Sequence, residues 1–320
     1  MDIKLVVAVT DGDWFKTLRQ KPHLEEVNFW APSGTNFKAL QPGELFLFKL
    51  HAPYNVIVGG GVFAYANVMP CSLAWEAFGE ANGAETLLEM RNRISRYRNV
   101  DPSEPSDYKI GCRILTQPFF FEASEFVDVP STWSPNIVSL KTFSTGDSDG
   151  RALWDAVNGR LEFRQPTSVS ANPAGIVAEP SGLLAGQTLY GKPQLVKPRL
   201  GQGAFRALVT DLYDRRCAVT RERTLPALDA AHIRPYSEGG IHEARNGLLL
   251  RRDIHGLFDS GYVTVTPDLH FEVSGQVREE FENGRDYYAL HGKQIVVPKN
   301  AVDQPSAEVL SWHNERIYRG

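Results

Sequence analysis

The sequence predicts an α+β protein of two domains, and three observations carry that reading. Short runs rich in Val, Ile and Phe, bounded by Gly, Pro or Asn, recur through the first 165 residues, as strands do. One strong helical stretch, Ser72–Arg98, stands among them. A strand, loop and helix pattern carrying His, Asn and His in order occupies part of the last third. The chain has 320 residues, of which 42% are hydrophobic, enough for about two domains with real cores.

In chain order, Lys4–Val9, Leu45–Leu50, Val56–Phe63 and Ile110–Phe121 read as strands. Ser72 is placed to cap the helical stretch, whose apolar residues are Leu73, Phe78, Leu87, Leu88, Met90 and Ile94, and Gly79 and Gly83 split it in two. Strands around one or two helices predict a small mixed barrel over residues 1–165. Gly59–Gly61 is no phosphate loop, because a strand follows it and no GK[ST] does. Residues 166–203 are rich in Pro, Ser, Ala and Gly and read as a linker that ends in the basic segment KPQLVKPRLGQG. The second domain runs over 204–320 and opens with a helix at Phe205–Arg216, with Phe205, Leu208, Val209 and Leu212 on one side.

Composition excludes several classes. No apolar run approaches the ~18 residues of a membrane span, and the N-terminus lacks the marks of a signal peptide. Cys71, Cys112 and Cys217 are too few and too scattered for a disulfide framework, so a reducing cytosol and no membrane partner are expected. The net charge is -4, yet residues 191–260 hold 12 Lys/Arg against 8 Asp/Glu. A locally basic stretch suits a polyanion, although charge alone favours a solvated surface.

The densest signal is CAVTRERTLPALDAAHIRPYSEGGIHEARNGLLLRRDIHGLFD, from Cys217 to Asp259. LDAAHI reads as a strand ending at His232, PYSEGGIHEAR as a turn-rich loop, and GLLLRRDIHGLFD as an apolar-periodic helix bearing His255. Phosphodiester cleavage needs a base for water, a cation for developing charge, and a rigid frame. His232 suits the base and His255 a divalent metal. Asp259 shares the helical face of His255, and strand alternation sets Asp229 on the face opposite His232. Asn246 suits tying the loop backbone in place. Each residue alone has an ordinary reading: a strand His as partial core, Asn-Gly as a turn, Asp259 as a cap. The ordered set of three favours chemistry. His242, His270, His291 and His313 read as loop, surface or packing residues, with His242 a weaker metal or phosphate candidate.

With AHI-P followed by NGLLL, and nine residues from Asn246 to His255, the segment resembles an HNH nuclease of the ββα-metal type. The resemblance extends through LFDSGYVTV, NGRDYY and LSWHNE, over about residues 195–315. It implies single-metal hydrolysis of the DNA backbone, with His232 as base, His255 as metal ligand and Mg²⁺ or Mn²⁺, or else Ni²⁺ or Co²⁺, as the metal. Many relatives carry an Asp, Glu or His just before the base; here that residue is Ala231, so Asp229 or Asp259 must substitute. The single Cys of CAVT leads to an expectation of no structural zinc. Lys197, Arg199, Arg234 and Arg251 are candidates for the DNA backbone.

FWAPSGTNFKALQPGELFLFKL, VIVGGGVF and IGCRILTQPFFF resemble an EVE domain of the PUA-like class. An EVE-like domain, a linker and an HNH domain in this order resemble the type IV-like, modification-dependent restriction endonucleases. That implies a front half that flips out a modified base, most plausibly 5-methyl- or 5-hydroxymethylcytosine, and reads it among aromatic rings. Trp30, Phe37, Tyr54 and Trp75 are the aromatic candidates, with Ser33, Thr35 and Asn36 as hydrogen-bonding groups and Asp13 or Glu76 as acceptors for an amino group. The same aromatics equally suit filling a core. Arg91, Arg93, Arg96 and Arg98 read as a solvated face partly offset by Glu85 and Glu89. The expected partner is double-stranded DNA with modified bases. One HNH site cuts one strand, so a homodimer is expected for double-strand breaks. The alternatives are a modified-nucleic-acid binding protein with an impaired HNH domain, suggested by Ala231, and an RNA reader.

Overall fold

A computed structural model describes residues 2–21, 23–100, 107–164 and 200–320. The elements follow in the order β1 (Lys4–Thr10), α1 (Gly12–Arg19), β2 (Glu26–Ala31), β3 (Leu45–Leu50), β4 (Val56–Pro70), α2 (Cys71–Phe78), α3 (Leu87–Arg98), β5 (Lys109–Phe120), β6 (Val127–Asp128), β7 (Leu140–Ser144) and α4 (Ser148–Arg164). The C-terminal segment adds α5 (Gln202–Leu212), β8 (Leu228–His232), β9 (Gly247–Arg251), α6 (Arg252–Asp259), β10 (Val263–Val265), β11 (Phe271–Val273), α7 (Gln276–Phe281), α8 (Arg285–Tyr288) and α9 (Ala307–Arg316). The class is α+β. None of the helices among the described residues is long and apolar enough to cross a membrane.

The described residues fall into two compact units that interleave along the chain. One draws on the described parts of Met1–Gly12, Ala39–Val62 and Phe119–Lys197, the other on those of Asp13–Lys38, Phe63–Pro118 and Pro198–Gly320. The first unit carries the strand order β4-β3-β1-β7 with β6 beside β4, and in the second unit β2 pairs antiparallel with β5. In the first unit β1 runs parallel to β3 and antiparallel to β7. Leu5, Val7, Leu45, Leu47, Ile57, Phe121, Phe143, Leu153 and Val157 form its core, which alternating strand positions bring together.

In the second unit the long helical stretch divides as its glycines predict, into α2, a 3₁₀ turn at Gly79–Asn82, and α3. Ser72 is not the cap of α2. The helix starts one residue earlier, and Asp107 accepts from the Ser72 backbone N–H (2.9 Å) and hydroxyl instead. Asn28 and Trp30 of β2 reach the same turn: Asn28 donates to Asn82 Oδ1 and the Trp30 indole N–H to the Asn82 carbonyl, each at 2.9 Å.

The C-terminal part of this unit has its own core, with Phe205, Leu228, Ala231, Leu248, Leu250, Ile254, Phe258 and Leu310 among its buried members. GLLLRRDIHGLFD is not one helix. Gly247–Arg251 pairs antiparallel with β8, from Leu228↔Arg251 to His232↔Gly247, and the helix begins at Arg252. Three consecutive leucines are buried on both sides here, where a strand between packed layers satisfies them and an amphipathic helix would expose one. α5 has no side-chain cap of its own; the Glu26 carboxylate accepts from the Gly203 N–H at 2.6 Å and the Ala204 N–H at 3.1 Å. Burial pushes the Glu26 carboxyl up, and those N–H groups pull it back.

Candidate functional site

The site grows from the β8–β9 hairpin and the helix that leaves it. His232, the last residue of β8, sits opposite Gly247. A Cβ at Gly247 would come within 2.5 Å of Val209 Cγ2 and 3.0 Å of the Phe205 ring. Glycine therefore lets α5 close on the hairpin, and Phe205 stacks on the His232 imidazole at 3.9 Å between centroids and 11° between planes. Asn246, 2% exposed, makes the loop part of the frame. Its Oδ1 accepts from the Arg234 N–H at 2.9 Å, and its Nδ2 donates to the carbonyls of Arg234 (2.9 Å) and Ile241 (3.0 Å). The side-chain amide thus copies the pairing of a neighbouring strand, which is the tethering expected of it. Gly240 is needed in the same loop, since a Cβ there would lie 1.9 Å from the Arg234 carbonyl oxygen.

Tethering the loop brings His242 to His232. Their facing nitrogens, His242 Nδ1 and His232 Nε2, are 2.8 Å apart, and Tyr236 stacks on the His242 ring at 5.2 Å. Burial lowers the His232 pKa to about 4, helped by the nearby His242 and His255. Burial lowers His242 as well, with Glu25 pulling the other way. Both rings are therefore neutral at pH 7, and a neutral imidazole is the form that accepts a proton. The sequence singles out His232 but gives no sign of this partner beyond an isolated His in the loop.

His255 and Asp259 lie one turn apart on α6, with His255 Nε2 3.3 Å from Asp259 Oδ2. Asp229 Oδ2 stands 3.7 Å from the other ring nitrogen, Nδ1. Strand alternation does set Asp229 apart from His232, yet it comes alongside His255. Asp229 also faces Arg206 and Arg252, each at 3.4 Å, and both arginines pair with Glu76 of α2. His232, His255, Asp259, Tyr236 and His313 line one cleft of about 320 Å³. His313 of α9 is fixed by its neighbours: it stacks on Phe258 at 3.7 Å, its Nδ1 accepts from the Thr264 hydroxyl at 2.8 Å, and its Nε2 faces the Phe258 carbonyl at 3.1 Å. Burial holds its pKa at about 4.

These donors suit a divalent cation only in part. The two nitrogens of one imidazole point away from each other, so a single ion reaches one of them. Among the described residues no three His, Cys, Asp or Glu groups form a metal cluster. One imidazole nitrogen and one carboxylate on a helix face fit an ion that fills its other positions with phosphate oxygens and water, as Mg²⁺ does, and do not form an all-protein cage. Ala231 is fully buried in the core and offers no ligand.

The other candidates are not among the residues that line this cleft. Trp30 is buried and edges onto Tyr97 at 6.3 Å. Phe37 packs on Phe63 at 5.3 Å and under Arg113 at 5.3 Å. Ser33 bonds Thr35, Asn36 is exposed, Tyr54 is 70% exposed, and Trp75 is half-buried. None of the six expected base-pocket residues lines the cleft of about 320 Å³ or a second cleft of about 380 Å³ bounded by Glu26, Glu76 and Arg206. Arg251 is held by Asp253, at 2.8 Å from Nε. Arg234 donates to the Glu238 carbonyl at 2.6 Å and stacks over Trp312 at 5.4 Å. Lys197 and Arg199 lie outside the described residues.

Residues 217–266, which hold the hairpin, the tethered loop and α6, match the HNH endonuclease family. The C-terminal segment therefore contains an HNH nuclease domain. Among solved structures, an ASCH protein from Zymomonas mobilis aligns over 47% of this chain and 94% of its own, at 11% identity and a TM-score of 0.32. A modification-dependent TagI restriction endonuclease aligns over 97% of this chain and 81% of its own, at 11% identity and a TM-score of 0.27. Both scores are too low to establish a shared fold. No curated protein matches the chain.

Proposed function

We propose that the chain is a metal-dependent DNA endonuclease directed to modified DNA, with His232 as general base and His255 and Asp259 as the groups that hold a divalent cation. The observation that carries this is the single cleft in which a neutral His232 faces the His255–Asp259 pair, inside the segment of HNH type. His232 takes a proton from water, and the resulting hydroxide attacks phosphorus. The bond to the leaving oxygen breaks, and that oxygen takes a proton from solvent. His255 Nε2 and Asp259 would hold the cation, which would supply positive charge where the phosphate and leaving oxygen gain negative charge. Asp229, behind the His255 ring, steadies its orientation, and Arg206 and Arg252 steady Asp229. Asn246 keeps the base and its loop in register.

The modified-base reading draws on the EVE-like motifs of residues 1–165, joined by the segment 166–203 to the nuclease segment 204–320. It places the reader in front and the cut at varied distances behind. Flipping a base such as 5-methyl- or 5-hydroxymethylcytosine belongs to this reading, as does a homodimer that cuts both strands. Two variants separate the roles. His232→Ala should retain Mn²⁺ binding by calorimetry and lose about 10²- to 10⁴-fold in nicking rate. Asp259→Asn should weaken both. Full cleavage by His232→Ala, with the metal present, would overturn the assignment of the base. If the wild-type chain bound modified DNA and never nicked it, the protein would be a reader with an impaired nuclease domain, in keeping with Ala231.

A further inference from the structure

We propose that His242 is a positioning residue for the base: its Nδ1 accepts a hydrogen bond from His232 Nε2–H and so fixes His232 in the tautomer whose Nδ1 is free to take a proton. The catalytic consequence rests on the nuclease reading above, whereas the hydrogen bond stands on geometry alone.

The two nitrogens are 2.8 Å apart, and this is the one hydrogen bond of the His232 ring among the described residues. Only one proton fits between two such nitrogens, so there are two assignments. If His242 Nδ1 donates, His232 carries its own proton on Nδ1 and has no lone pair left for water. If His232 Nε2 donates, Nδ1 is basic. The second assignment is the one consistent with a base in this cleft.

The surroundings hold the pair in this relation. Phe205 stacks on His232 and Tyr236 on His242, and the two imidazoles meet at 66°. The main chain beside His242 is pinned by the bond from Asn246 to the Ile241 carbonyl. Asn246 thereby fixes the position of the residue that orients the base. The groups facing the pair are His255, Asp259 and His313 across the cleft and Glu25 near His242. When His232 takes the proton from water, its Nε2–H still meets the lone pair of a neutral His242. The transient imidazolium thus keeps its partner, and no second buried charge is needed.

The test uses the full chain. His242→Phe keeps a ring against Tyr236 and removes the acceptor. His242→Asn returns an amide oxygen close to the place of Nδ1. With Mn²⁺ and plasmid DNA, His242→Phe should lower kcat by about 10- to 100-fold with little change in KM, and His242→Asn should recover most of it. Long-range ¹H–¹⁵N NMR should show wild-type His232 protonated on Nε2, with that preference lost in His242→Phe and kept in His242→Asn. A wild-type His232 protonated on Nδ1, or a His242→Phe variant with unchanged kcat and tautomer, would overturn the proposal. If His242→Phe does not fold, the wild-type tautomer and His242→Asn decide. If the wild-type chain cuts no DNA, the nuclease reading fails, and the tautomer measured by NMR still tests the hydrogen bond.

Discussion

His232 shows at the residue scale why burial matters to the chemistry. An exposed imidazole is partly protonated near neutrality; this one, against Phe205 and beside His242, is not. The same burial has a cost on folding. His232 and His313 each have a folded pKa of about 4 against the ordinary 6.5, and His242 is lowered too. The unfolded chain binds protons as pH falls through 6.5, while the folded chain does not until near 4. Stability is therefore fully present above 6.5 and declines as pH falls toward 4. Thermal melts from pH 7.5 to 4.5 should show a falling Tm, and a flat profile would contradict the burial of these rings. Asn246→Ala should cost about 1–3 kcal/mol in urea unfolding, because it strands the N–H and carbonyl of Arg234. Asn246, His232 and His255 were legible because hairpin and helix fix their spacing locally. His242 was not, since its partner is set by how a turn-rich loop folds. Which of the expected base-pocket aromatics turn inward was not legible, because strand propensity does not say which face a ring occupies. Trp30, for one, turns inward to Asn82.

Element by element, the hairpin and α6 decide the site. NGLLL reads as helix by its apolar content, yet pairing with β8 takes Gly247–Arg251 as a strand and leaves a helix of eight residues. Short apolar runs do not distinguish the two by periodicity, and tertiary pairing decides. The consequence is functional: a short α6 starting at Arg252 brings His255 and Asp259 to the cleft that His232 lines. Gly247 is the hinge of this arrangement. Gly247→Ala should destabilise the chain by about 1–3 kcal/mol, as overpacking does, and should weaken nicking by displacing Phe205 from His232. Equal stability in urea and an unchanged rate would show that α5 does not bear on the base. The split of Ser72–Arg98 was readable from Gly79 and Gly83. The capping of α2 was not, because Asp107 is remote in sequence.

On the scale of the whole molecule, the sequence separates a strand-rich front from an HNH segment, while the structure interleaves its units along the chain. Glu26 and Glu76, both from the first half, cap α5 and pair with Arg206 and Arg252. Contacts of this kind join residues 130 to 177 apart and leave no local pattern, which is why they could not be read in advance. They tie the positions of α5 and Asp229, and so the surroundings of both candidate histidines, to β2 and α2. The most direct test of the account is a plasmid digestion with Mg²⁺ or Mn²⁺. It compares unmodified DNA with DNA carrying 5-methylcytosine, 5-hydroxymethylcytosine or methylated adenine, for the wild-type chain and His232→Ala. A cytosine-modified plasmid should be cut by the wild-type chain and spared by the variant, with little cleavage of unmodified DNA. Equal cleavage of every plasmid would remove the reader, and no cleavage of any would contradict the nuclease itself.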